Sequence, residues 1–282
     1  MKVLRSTREL DGWLKEEAGG SIGLVPTMGA LHEGHLSLLR GAKERSDRVV
    51  MSLFVNPLQF GPSEDLAAYP RNEARDLALA EEEHVDAAFL PTTREMYPGG
   101  NETKVTVGSI GDILEGVSRP GHFDGVATVV AKLFNLVRPD LAFFGQKDAQ
   151  QAVVVEQMVR GLGFPIEIVV CPTVREPDGL ALSSRNAYLS GEERSRALAL
   201  WRSLEKAKAA FEETGDPLQA AATGRETIEA AEEVQLDYFE AVDPVTLQPA
   251  GAGDVLFVVA ARVGKTRLID NLSVEARGEN VR

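Results

Sequence analysis

Short apolar, β-branched runs alternate with helical periodicity over the first 175 residues of the chain. The runs Ile22–Val25, Val49–Val55, Ala87–Leu90, Lys104–Val107, Leu141–Phe144 and Ile166–Val170 read as strands. Between them, Leu36–Arg45, Glu73–His84, Phe123–Val137 and Ala149–Leu162 read as helices. In the third of these, Val126, Val129, Val130, Leu133, Phe134 and Val137 recur at helical spacing and form one apolar face. Such alternation predicts an α/β fold, a parallel sheet with helices on both faces. In sheets of that kind ligands gather beyond the carboxyl ends of the strands.

The pattern changes after Arg175-Glu176-Pro177-Asp178-Gly179, a turn signal and a plausible hinge. A long helix is predicted from Ser190, where Ser190-Gly191-Glu192-Glu193 fits a capping box, with an apolar stripe of Ala197, Leu200, Trp201, Leu204, Ala207 and Phe211. A second helix follows Asp216-Pro217, and three strands are predicted around Tyr238, Phe257 and Leu268. The expected organisation is a Rossmann-like, doubly wound domain over residues 1–175 and a smaller α+β lid domain over residues 176–282. No internal repeat or low-complexity segment interrupts it.

Composition narrows the function. With 282 residues, 44% hydrophobic and 26% charged, the chain is ordinary globular protein of one large or two ordinary domains. A net charge of −13 argues against a nucleic-acid surface, which needs clustered Lys and Arg. A small anionic ligand needs only a few local cations and stays open. The single Cys171 excludes an intrachain disulfide and a cysteine metal site, and beside Val169 and Val170 it reads as a buried small hydrophobe. No apolar run approaches the ~18 residues of a membrane span. Met1 to Ser6 lacks the apolar core of a signal peptide, so a cytosolic protein with no membrane partner is expected.

The chemistry concentrates in strand-to-helix passages. Pro26 to His35 leaves the Ile22–Val25 strand through small residues and delivers His32 and His35 at the mouth of a helix. Unpaired N–H groups and the helix dipole make that location suited to phosphate. The alternative is two surface histidines flanking a glycine turn. His-x-Gly-His in this setting resembles the signature of the nucleotidylyltransferase superfamily.

Phe143 to Gln151 forms a second passage, with Lys147 at the helix N-terminus, where acids are usual. A lysine there fits a shared anion, or else is a solvated partner of Asp148. Ser183-Ser184-Arg185-Asn186 offers hydroxyls and a guanidinium to phosphate oxygens, yet alone it is equally a capped turn. Asn56 and Gln59 follow the second strong strand and supply neutral amides suited to hydroxyls and carboxylates. Arg119, in Arg-Pro-Gly-His, is either a ligand contact or a shaper of its loop. Gly264-Lys265-Thr266 has Val259 where a phosphate loop needs its first glycine, and reads as a hairpin turn. Gly251-Ala252-Gly253 likewise reads as a turn.

Five blocks in order resemble the pantoate–β-alanine ligase (pantothenate synthetase) family. They are Pro-Thr-Met-Gly-Ala-Leu-His-Glu-Gly-His, Phe-Val-Asn-Pro-x-Gln-Phe, Arg-Pro-Gly-His-Phe-x-Gly-Val, Phe-Phe-Gly-Gln-Lys-Asp-x-Gln-Gln and Leu-Ser-Ser-Arg-Asn-x-Tyr-Leu, over residues 26 to 189. The C-terminal hundred residues carry no motif of this set.

The resemblance implies an ATP- and Mg²⁺-dependent joining of D-pantoate to β-alanine through a pantoyl adenylate, releasing AMP and pyrophosphate. It implies ATP contacts from Met28, Gly29, Ala30, Leu31, His32, Glu33, Gly34 and His35, with His32, His35 and Lys147 as the catalytic groups near the α-phosphate. Further nucleotide contacts would be Gly145, Gln146, Lys147 and Asp148, then Val174, and Leu182, Ser183, Ser184 and Arg185. Gln59 and Gln151 would grip pantoate, with Gln59 also facing β-alanine and Asn56 nearby. The family often has two adjacent acids where this chain has Arg75-Asp76, which leaves Asp76 a weak metal candidate and the magnesium ligands unassigned. A homodimer is implied by the resemblance alone. A cofactor-synthesis nucleotidyltransferase and a non-catalytic nucleotide sensor remain alternatives, separable by the products made from ATP, pantoate and β-alanine.

Overall fold

The apolar runs become the strands β1 (Lys2–Leu4), β2 (Ile22–Thr27), β3 (Arg48–Leu53), β4 (Ala87–Phe89), β5 (Leu141–Gly145) and β6 (Glu167–Cys171). In the computed structural model they form one six-stranded parallel sheet, ordered β1–β4–β3–β2–β5–β6. Residues 1–17, 19–61, 66, 69–100 and 102–276 are described. They divide into two compact units, Met1–Gly145 with Gln150–Pro172, and Gln146–Ala149 with Thr173–Arg282.

In the first unit the sheet carries α1 (Thr7–Glu16), α2 (Glu33–Arg45), α3 (Glu73–Glu82), α4 (Thr93–Met96), α5 (Glu115–Ser118), α6 (His122–Val137) and α7 (Ala149–Leu162). Central strands are apolar on consecutive positions because both faces are covered; Val49, Val50 and Met51 are all 0% exposed. Leu39, Ala42, Val49, Met51 and Phe143 form one continuous core cluster with Val25. Cys171 packs half-buried against it, and burial pushes its thiol up from the ordinary value.

One place in this sheet is set apart by topology. β2 pairs with β3 from Ile22↔Arg48 to Thr27↔Leu53, but with β5 only at Gly23↔Leu141 and Leu24↔Ala142. Pro26 therefore sits beyond the β5 ladder, where its missing N–H breaks no pairing with that strand. Connections from β2 run to β3 on one side, while β5 lies on the other, so the strand order reverses here. Such a switch point opens a crevice at the carboxyl ends, from which Met28 and Gly145 lead out.

The structure departs from the sequence reading in four respects. Lys104–Val107 pairs with no strand among the described residues, since the N–H groups of Val105 and Val107 donate to Thr128 Oγ1 (2.9 Å) and Asp124 Oδ1 (3.1 Å) on α6. Its β-branched residues carry the propensity, and side-chain acceptors take the donors a ladder would use. β1 and α1 were not anticipated: β1 has only three residues, although Ser6 and Glu9 announce α1 with a capping box. α2 starts at Glu33 rather than Leu36, and β3 stops at Leu53. Finally, α6 is buried beyond its apolar stripe, at Ala127, Thr128 and Ala131 as well.

The second unit contains α8 (Gly191–Thr214), α9 (Pro217–Glu229) and the antiparallel sheet β7–β8–β9, from Val234–Val242, Val255–Val263 and Thr266–Val274. Ser190 and Glu193 cap α8 reciprocally, and Asp216 caps α9 ahead of Pro217. Leu200, Leu204, Phe211, Ile228, Phe239 and Phe257 form its core. Gly264-Lys265 is the two-residue turn between β8 and β9, with Gly264 at φ +58°. No helix among the described residues is long and apolar enough to cross a membrane.

Candidate functional site

The passage after β2 is an enforced geometry. Gly29 (φ +86°) and Ala30 (φ +52°) both lie in the left-handed region, which costs Ala30 strain that something must offset. Asp76 does so from the first turn of α3. Its carboxylate is 1% exposed and accepts the N–H of Ala30 (2.9 Å) and of Leu31 (2.8 Å), while Arg75 Nη1 donates to the Leu31 carbonyl (2.9 Å). Arg75-Asp76 thus clamps the Leu31 peptide on both edges. The arginine meets a carbonyl, which needs a donor, and the aspartate meets two N–H groups, which need an acceptor.

His32 then caps α2 in an unusual way. Its Nδ1 accepts the Gly34 N–H at 3.2 Å, and His35 Nδ1 accepts the His32 N–H at 3.4 Å, a reciprocal capping box made of two imidazoles. Their ring centroids lie 4.2 Å apart at 50°. Because each Nδ1 accepts, the proton of each neutral ring sits on Nε2, which makes that nitrogen a donor. Gly34 is required beneath this arrangement: a Cβ there would lie 2.9 Å from His32 Cε1 and 3.0 Å from Nδ1. Glu33, next to the helix N-terminus, is paired with Arg40, whose guanidinium holds its carboxyl below the usual range. The pairing reduces the conflict between that carboxylate and an incoming anion.

The Asn56 to Gln59 turn sits against the N-terminal end of α6. Asn56 is 0% exposed: its Nδ2 donates to the Gly125 carbonyl (3.0 Å), and its Oδ1 accepts from Leu58 N–H (3.2 Å) and Tyr97 Oη (2.9 Å). The Asn56 amide, expected as a substrate contact, thus makes three hydrogen bonds within the protein. The Gln59 carbonyl receives His122 Nδ1 (2.8 Å) and Arg119 Nη2 (3.3 Å), and Arg119 Nη1 also meets His122 Nε2 at 3.1 Å. Arg119 thus shapes this loop. The side-chain amide of Gln59, a 7% exposed residue, has no hydrogen-bond partner among the described residues. In α7, Gln150 is structural, donating to the carbonyls of Ile110 (2.9 Å) and Ile113 (2.8 Å) and accepting Glu115 N–H (3.0 Å). Gln151 is half-buried, and its amide has no partner among the described residues.

In the second unit, Gln146–Asp148 is a single 3₁₀ turn. Lys147 Nζ lies 3.6 Å from Asp148 Oδ1, with its side chain 18% exposed. Gln146 Nε2 donates to Asn271 Oδ1 (3.1 Å). Leu182 N–H donates to the Val174 carbonyl (3.0 Å). Ser183 Oγ accepts Arg185 N–H (3.3 Å), the capped turn that the sequence left open. The Ser184 hydroxyl and Arg185 guanidinium have no hydrogen-bond partner among the described residues.

The donor set does not build a magnesium cage. Among the described residues no three His, Cys, Asp or Glu side chains converge, and both oxygens of Asp76 already accept backbone N–H groups. Arg75, Asp270, Asn271 and Arg175 were missed as site-supporting residues. The signal for Asp270-Asn271 was present, as two polar residues in succession between Ile269 and Leu272.

Comparison with known proteins bears on the whole chain. The family model described as pantoate–β-alanine ligase matches residues 2–273. A pantothenate synthetase of Heliobacterium modesticaldum is 52% identical over 280 residues, spanning 98% of this chain and 100% of that protein. The crystal structure of pantothenate synthetase from Thermus thermophilus has TM-score 0.92 at 49% identity, covering 96% of this chain and 99% of that one. A pantoate–β-alanine ligase from Francisella tularensis, solved with β-γ ATP and β-alanine, has TM-score 0.80 at 34% identity, covering 96% and 97%.

Proposed function

We propose, from the premise that this chain belongs to the pantoate–β-alanine ligase family, that it activates pantoate as an acyl adenylate on its paired histidines and Lys147. The chain carries out ATP-dependent ligation of pantoate with β-alanine. A carboxylate is a poor acyl donor because oxide is a poor leaving group. The pantoate carboxylate oxygen attacks the α-phosphorus of ATP, the bond from that phosphorus to the bridging oxygen breaks, and pyrophosphate leaves. The β-alanine amine then attacks the acyl carbon, loses a proton, and AMP departs. Both nucleophiles are substrates, so no nucleophilic side chain is needed.

The reciprocal histidine cap carries this reading. It presents two Nε2 donors and the amino end of α2 where charge builds on the phosphoryl oxygens, and it does so with rings already fixed. Met28 to His35, Gly145 to Asp148, Val174 and Leu182 to Arg185 make up the proposed nucleotide contacts, with Lys147 on the phosphates. Gln59 and Gln151, two amides without a hydrogen-bond partner among the described residues, suit the hydroxyls and carboxylate of D-pantoate. Asn56 is reassigned from substrate contact to support of the Gln59 turn. Mg²⁺, implied by the family, would come with the nucleotide; among the described residues no three His, Cys, Asp or Glu side chains converge on a cage for it. A cytoplasmic homodimer, with a nucleotide- and pantoate-binding domain over 1–175 and a lid domain over 176–282, completes the proposal; sedimentation tests the dimer.

The test is pantoate-dependent ATP–pyrophosphate exchange. It is expected without β-alanine, and exchange that needs β-alanine overturns the order. His35→Ala and Lys147→Ala are expected to slow exchange on the order of 10²–10³-fold while still binding ATP, with much less effect on β-alanine attack on preformed pantoyl adenylate. Near-normal exchange by folded His35→Ala removes its catalytic role.

A further inference from the structure

The C-terminal strand β9 carries an assembly that the family blocks do not include. Asn271 is 4% exposed and its amide is fully engaged: Nδ2 donates to the carbonyls of Gln146 and Lys147, both at 2.9 Å, and Oδ1 accepts from Gln146 Nε2 at 3.1 Å. Two hydrogen bonds from one side chain therefore fix the peptide carbonyls of Gln146 and Lys147, and a third holds the Gln146 side chain. Asn271 is itself held. Its N–H donates to Asp270 Oδ1 (2.8 Å), and its carbonyl accepts from Arg175 Nη2 (3.1 Å).

Arg175 meets the buried Asp270 carboxylate with both terminal nitrogens, at 2.6 and 2.8 Å, and donates to the Gly179 carbonyl at 3.0 Å. Its guanidinium stacks on Trp201 of α8, 3.9 Å from the ring centroid. Burial pushes the Asp270 carboxyl up while Arg175 opposes that shift. A buried, bidentate ion pair is a poor source of net stability compared with apolar packing, and its attested use is to fix geometry. What this one fixes is the residue that holds Lys147.

We infer that Asn271, braced by the Arg175–Asp270 pair, is a positioning residue for Lys147, so that β9 sets the reach of the proposed phosphate-binding cation. The assignment rests on the proposed role of Lys147, and the turn that carries Lys147 belongs to the same unit as β9. It also gives the C-terminal sheet a part in the first half-reaction without touching substrate.

A double-mutant cycle tests it. Asn271→Ala, Asn271→Ser, Lys147→Ala and the double variant Lys147→Ala/Asn271→Ala are compared with Ser273→Ala, an exposed position on the same strand, as the control. The readouts are pantoate-dependent ATP–pyrophosphate exchange, and β-alanine attack on preformed pantoyl adenylate. Asn271→Ala and Asn271→Ser are each expected to lower exchange about 10–100-fold with little loss in the second half-reaction. The double variant is expected to exchange no more slowly than Lys147→Ala, because the residue acts through the lysine. Multiplied losses in the double variant, equal losses in both half-reactions, or failure of both Asn271 variants to fold overturn the positioning role. Near-normal exchange by Lys147→Ala overturns instead the reading on which it rests.

Discussion

Asp76→Asn is the sharpest perturbation of the loop that carries the histidines. The wild-type carboxylate takes the N–H of Ala30 on one oxygen and the N–H of Leu31 on the other, at 2.9 and 2.8 Å, in a site where Asp76 is 1% exposed. The isosteric amide keeps the shape, but its NH₂ must face one of those N–H donors. One charge-assisted bond is lost and a buried donor is left unmet, a cost of about 2–4 kcal/mol. For a chain of this size that corresponds to a fall in Tm on the order of 3–7 °C. The strained left-handed turn at Ala30 then relaxes, and displacement of His32 and His35 by about 1 Å costs on the order of 10²-fold in adenylation. Thermal unfolding and pantoate-dependent exchange are measured across a Mg²⁺ titration. Unchanged Tm and exchange refute the clamp. Recovery at high Mg²⁺ refutes it too, because the carboxylate would then be serving as a metal ligand.

Other substitutions read other parts of the site. Gly34→Ala gains about 1 kcal/mol of helix propensity but forces a Cβ to within 2.9 Å of the His32 ring. Stability measured by chemical denaturation is therefore expected to change little while exchange falls at least about tenfold; retained exchange refutes the histidine cap. Gln59→Ala and Gln151→Ala are expected to raise the pantoate KM, by about 5–150-fold for a lost bond of about 1–3 kcal/mol, with ATP binding retained; equal loss of both affinities removes them from the pantoate site. Burial pushes the Tyr97 phenol up to about 12 from 10.0, so the neutral form is favoured by folding. Its contribution is fully present below the unfolded value and lost as pH rises through the folded one. In alkaline titration one tyrosine is expected to ionise late, and a late step that persists in Tyr97→Phe refutes the assignment.

Local pattern determined a good deal of this protein. The alternation of β-branched runs and helical stripes specifies a parallel sheet, since strands covered on both faces must be apolar at successive positions, as Val49 to Met51 are. Ser190 and Glu193 specify the start of α8 within four residues, because a cap is a local interaction. Family-like blocks identified the chemistry because phosphate binding at a helix terminus uses residues close in sequence.

Tertiary structure alone decided what depends on distant partners. Lys104–Val107 has the composition of a strand, yet acceptors on α6 claim its N–H groups. Asn56 has the chemistry of a ligand contact, yet Gly125 and Tyr97, 69 and 41 residues away in sequence, engage its amide. Asp76 read as a weak metal candidate, yet Arg75-Asp76 bonds the Leu31 backbone, 44 and 45 residues earlier. Asn271 reaches the Lys147 peptide across 124 residues. Propensity and capping act within a few residues and can be read from order along the chain. The satisfaction of buried donors and acceptors is settled only when folding brings their partners together.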